Sequence, residues 1–233
     1  MPATQPFRVP ADIAESSGWA DERARVTAEL RDSFELYFCP PEQRIVLLDR
    51  AQARELPTAV RAQQPAPHRW PTADPARDLE QTVRRVERRR APSRHREISA
   101  ESWTRIGERL PGARGIAGTF PETSGPNCFG AVMAAAGVAG AEAEWMQIEP
   151  FERWLVGATE PVRGAAADQE IGTVLVWRTA DGQAAHAAIT LGEDRLLHKA
   201  SQGWMSPTVV LSVHEGKMAA RYAGLHLSRR RLV

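Results

Sequence analysis

Residues 184–201 read Ala-Ala-His186-Ala-Ala-Ile-Thr-Leu-Gly192-Glu-Asp-Arg-Leu-Leu-His198-Lys-Ala-Ser201, and their reading decides the fold. Ala184 to Leu191 is a β-forming run, Gly192-Glu-Asp194 a tight turn, and Arg195 to Ser201 a returning strand. Consecutive antiparallel strands joined by so short a turn pair as neighbours. His186 and His198 are equidistant from a turn centred on residue 192, so this register sets the two imidazoles side by side. Upstream, Gly172-Thr-Val-Leu-Val-Trp177 is a dense strand signal and Thr179-Ala-Asp181-Gly182 a hairpin signal. Three antiparallel strands are therefore expected.

A second informative stretch, Pro126-Asn127-Cys128-Phe129-Gly130, turns a glycine- and proline-rich approach into an apolar, alanine-rich helix ended by Gly137. Cys128 is thus expected at a helix start. There the unpaired N–H groups and the positive end of the dipole favour thiolate over thiol, and the same N–H groups receive a developing oxyanion. Taken alone, Cys128 reads more readily as a buried cysteine used as a small hydrophobe. If the sheet packs on this helix, one imidazole takes the thiol proton and the other holds the first in orientation. Cys39 ends a predicted strand, has no metal-ligand spacing around it, and is read as structural. No metal and no cofactor are expected.

In chain order, an Asx-Cys helix start, a Gly-led strand ending in an aromatic, a strand opening with histidine and a third strand carrying a second histidine resemble the NlpC family of papain-like bacterial cysteine peptidases. The resemblance covers about residues 100 to 215. It implies an α+β papain-like domain, a Cys-bearing helix packed on an antiparallel sheet, with Cys128 as nucleophile, His186 as general base and His198 as orienting residue. In many members an Asp before and a Ser after the cysteine help to hold the free amine of a cell-wall stem peptide. Asn127 and Phe129 stand there instead, so a less cationic, more apolar substrate is expected against them. Trp154, in the amphipathic segment Glu144 to Val156, and Trp204 are read either as further cleft walls or as packing. The principal expectation is hydrolysis of a peptide-like amide through an acyl-enzyme. Two readings stay open beside it. One is an intracellular tailoring enzyme of small-molecule biosynthesis, using the same Cys and His groups for acyl transfer, elimination or cyclisation; the other is a non-catalytic binding module.

Residues 1–95 fall outside the resemblance and read as an N-terminal extension to a catalytic domain of residues 96–233. Residues 20 to 33 predict a short helix. Phe34, Leu36 and Phe38, then Arg44 to Asp49, resemble two strands around the turn at Pro40-Pro41. Prolines 57, 65, 67, 71 and 75 predict a linker or a segment wrapping another surface, and Asp78 to Arg90 a helix leading into an arginine-rich run to Arg96. A hairpin this short needs something to pack on, so the extension is expected to cover the catalytic domain or a second copy, giving a homodimer. Ser99 predicts a cap for a helix to Leu110.

Composition bounds the partners. The chain is 42% hydrophobic and 25% charged, with no apolar run near the roughly 20 residues of a bilayer crossing, so a globular protein without a membrane partner is expected. Thirty basic against 29 acidic residues supply no global field, and no aromatics interleave the arginine run, so no nucleic-acid partner is expected. Met1 to Pro10 lacks a basic region followed by an apolar stretch, which makes the cytoplasm the expected location.

Overall fold

The computed structural model describes residues 3–78, 80–81 and 92–233. Most of the helix expected over Asp78 to Arg90, and with it most of the arginine-rich run, lies outside them. The chain divides into two compact units, Met1–Arg89 and Arg90–Val233.

In the first unit β1 (Gln5–Pro10) pairs antiparallel with β2 (Gln43–Leu48), Phe7 opposite Val46. This corrects the expected pairing of β2 with residues 34–38. Phe34 instead ends the helix Ala28–Phe34, which Thr27 caps through Leu30 N–H and Glu35 closes in the left-handed conformation, φ 56°. Three alternating apolar residues are too few to exclude a helix end, and β1 offers β2 a longer matching face. Phe34, Leu36 and Ile45 pack together, Phe38 is 69% exposed, and Cys39 stands in a loop rather than at a strand end. A second cluster joins Phe7, Val9, Val46, Leu48, Leu56 and Val60. The proline-rich stretch wraps this unit. It holds a short helix, Thr58–Ala62, and places His68 between the rings of Phe7 and Phe34, at centroid distances of 3.6 and 4.9 Å.

The second unit is α+β. Its six-stranded antiparallel sheet runs in the order β3 (Thr159–Pro161), β8 (His226–Leu232), β4 (Ile171–Arg178), β5 (Ala184–Gly192), β6 (Arg195–Lys199), β7 (Thr208–Ser212). Alternation divides its side chains. Val174, Val176, Ala187, Ile189, Leu197 and Val210 pack with the helix Cys128–Ala135, whereas Leu175, Trp177, Ala188, Leu196, Val209 and Leu211 pack on the other side with Val213 and Ala220. Ser99 caps the helix Ala100–Arg109 by accepting Ser102 N–H at 3.1 Å. Arg105 of that helix holds Glu193 in the β5–β6 turn. Among the described residues no helix is long and apolar enough to cross a membrane.

That turn is centred one residue later than expected. Glu193 and Asp194 both take left-handed conformations, φ 52° and 56°, and the register pairs Thr190 with Leu196 and Ile189 with Leu197. Beyond Ile189 and Leu197, toward His186 and His198, the ladder stops.

Candidate active site

Asn127 is the N-cap of the helix that Cys128 opens. Its Oδ1 accepts Gly130 N–H at 3.1 Å while its Nδ2 donates to the Met146 carbonyl at 2.7 Å. Both ends of the amide are thus spent on fixing the helix start. Gly130 lets another segment cross that first turn, since a Cβ there would lie 2.3 Å from the Ala141 carbonyl oxygen. Phe129 is buried and stacks on Phe151 at 4.4 Å, and Trp154 packs on Phe151 at 5.9 Å. Of the three residues expected at the substrate, Phe129 is therefore turned into the core, while half-buried Asn127 spends its amide on the helix start and half-buried Trp154 packs on Phe151. An N-cap position spends its polar side chain on the helix, and the next residue here continues into the core. Half-buried Trp204 gives its backbone N–H to Ser124 Oγ at 3.1 Å, tying the loop after β6 to the loop before Cys128.

Cys128 is 9% exposed. Burial pushes its thiol up from 9.0 to about 11, against the opposing pull of the Ala187, Phe129 and Cys128 N–H groups and the ammonium of Lys199. The helix start was expected to favour thiolate. It does pull that way, but a thiolate so far removed from water loses more hydration than these dipoles return.

His186 and His198 come together, with ring centroids 4.9 Å apart. His186 is the register partner of Trp177, whose ring is 5.4 Å away, and His198 the partner of Val209. The imidazoles thus share the face of Trp177 and Val209, while the thiol reaches the sheet from the helix side, at Ala187, the residue after His186. His186 is also buried, and its Nε2 has no hydrogen-bond partner. Burial, and then the neighbouring His198, push it down from 6.5 to about 3.

Lys199, unremarked as a site residue in the sequence, is 3% exposed and donates to the Ser206 carbonyl. The available signal was its position, one of two lysines in the chain and set within an apolar strand. It lines a cavity of about 310 Å³ together with Phe120, Glu122, Pro126, Glu142 and Thr208. Pro126 lies two residues before Cys128, so this cavity adjoins the start of the Cys128 helix.

No family model matches the chain, and no curated protein does. Among solved structures, the peptidoglycan hydrolase RipB from Mycobacterium tuberculosis is similar at 17% identity, over 69% of this chain and 87% of that one, with a TM-score of 0.33.

Proposed function

We propose that the second unit is a thiol-dependent hydrolase of the papain-like kind, with Cys128 as nucleophile, His186 as general base and His198 as the residue that orients it. One observation carries the reading. A thiol at a helix start lies against the N–H of the residue that follows a buried imidazole, whose Nε2 is held without a partner. Leaving such a nitrogen unsatisfied costs about 1–3 kcal/mol, a cost that a proton acceptor explains and packing does not. The base starts neutral. Substrate enters the cavity beside Lys199, the Cys128 proton moves to His186 across the open end of the β5–β6 ladder as sulfur attacks the carbonyl, and the leaving group departs with that proton. Phe129 and Ala187 N–H groups and the Lys199 ammonium receive negative charge as it develops. Water then releases the acyl group. Because the thiol is buried, a second reading is acyl transfer to a nucleophile other than water, as in a tailoring enzyme.

The test is acylation by p-nitrophenyl acetate followed by intact-mass and peptide mapping. The acetyl group is expected on Cys128, absent in Cys128→Ala, and formed about 10²–10⁴-fold more slowly in His186→Gln. Acetylation confined to Cys39, or none, overturns the proposal; release to an added amine faster than to water selects the transfer reading.

A further inference from the structure

A cavity of about 530 Å³ lies in the first unit, far in sequence from the thiol. Arg50 and Arg54, on the helix Arg50–Glu55, and Arg61, on the helix Thr58–Ala62, line it together with Phe7, His68 and Trp70. No acidic residue is among the lining residues, so three arginines share one space with no counter-charge in its wall. Among the described residues none of the three forms an ion pair, and Arg61 spends only one N–H, on Thr58 Oγ1 at 3.1 Å. The acids of the same helix do not neutralise them. Asp49 gives its carboxylate to the Ala51 and Gln52 N–H groups at 2.7 and 2.9 Å, and Glu55 lies outside the lining.

Like charges gathered without partners repel one another, so the protein gains nothing by this arrangement in the absence of an anion. Guanidinium groups are suited to phosphate and carboxylate oxygens because they offer paired N–H donors in a plane. The same lining includes aromatic residues. Phe7 is stacked between His68 at 3.6 Å and Trp70 at 6.3 Å, and Trp70 is half-buried, which leaves part of its ring available to a ligand. The volume falls in the range of about 300–1,000 Å³ usual for small-molecule sites and is far larger than an inorganic anion needs.

We infer that this cavity binds a small organic anion with a flat ring, of the size and kind of a nucleoside phosphate, with Arg50, Arg54 and Arg61 on the anionic groups and Trp70 against the ring. The inference does not depend on the reading of Cys128. Isothermal titration of the full chain with ATP, AMP, adenosine and inorganic pyrophosphate tests it. ATP is expected to bind, AMP more weakly, adenosine not at all, and pyrophosphate at least about tenfold more weakly than ATP because it has no ring. Arg54→Gln and Arg61→Gln are each expected to weaken ATP about tenfold or more, the loss of one charge-assisted contact. Both side chains are exposed, so the variants should melt with the wild type. Arg25→Gln removes an equal charge at a residue paired with Glu22 outside the cavity and should change nothing. The inference is overturned if none of the four probes binds at millimolar concentration, if Arg54→Gln, Arg61→Gln and Arg25→Gln act alike, or if pyrophosphate binds as tightly as ATP.

Discussion

At neutral pH Cys128 is a neutral thiol and His186 a neutral imidazole, because burial lifts one to about 11 and drops the other to about 3. Alkylation requires thiolate, so iodoacetamide should label Cys128 slowly at pH 6 and about tenfold faster for each pH unit between 7 and 10. A rate already level at pH 6 would show an ion pair instead. The same shifts act on stability. Unfolded His186 takes a proton near 6.5 but the folded residue only near 3, so the stability it contributes is complete above 6.5 and is lost as pH falls toward 3. Unfolded Cys128 loses its proton near 9.0 and the folded residue near 11, so stability is also lost as pH rises through that interval. Thermal melting across pH should therefore show a plateau between about 6.5 and 9. His186→Phe should flatten the acid limb and Cys128→Ala the alkaline one; limbs that persist unchanged in these variants would assign them to other groups.

Among the elements, one ionic knot joins three. Asp168 precedes β4, is buried, accepts Arg229 Nε of β8 at 2.6 Å and its Nη2 at 3.1 Å, and also pairs with Lys217 of the helix Val213–Ala219. Burial works against its ionised form, yet the Arg229 and Lys217 bonds outweigh it and hold the carboxyl below the usual range. Removing one member of such a buried set leaves charge uncompensated, at a cost of about 3–5 kcal/mol. Asp168→Asn is expected to lower the urea midpoint correspondingly. The exposed pair of Arg153 with Glu149, one helical turn apart, sets the contrast: Glu149→Gln should cost no more than about 0.5 kcal/mol. Equal losses in the two variants would mean that the knot is no more than a surface contact.

Across the whole molecule each unit has its own apolar clusters, Phe7 with Val46 and Leu48 in the first and Cys128, Phe129 and Ile189 among many in the second. Phe34, Leu36 and Ile45 form a further cluster of the first unit. The boundary expected between residues 95 and 96 falls inside the second unit, where Ser93 Oγ accepts Val210 N–H at 3.0 Å and Arg94 pairs with Glu215 at 2.8 Å. A fragment of residues 92–233 should therefore fold by itself, and one starting at residue 97 should melt several degrees lower for want of these two contacts. Calorimetry of both fragments checks this. Failure of the longer fragment to fold would show that the units depend on each other.

What the sequence by itself determined was local. The cap at Ser99, the helix start at Asn127-Cys128, the strands beginning near Gly172 and Ala184, and the proximity of His186 to His198 are each written in residues within a few positions of one another, where dihedral preference and side-chain period act directly. The turn of Glu193-Asp194 shifted the register, yet both histidines stayed on one face because strand alternation depends on parity alone. Only the tertiary structure decided the partner of β2, the inward turn of Phe129, the burial of Lys199 and the protonation of Cys128. A strand accepts whichever distant edge matches its apolar face, and a thiol responds to the sum of the groups that exclude water from it. Neither quantity is carried by neighbouring residues, so both are fixed only when the chain closes on itself.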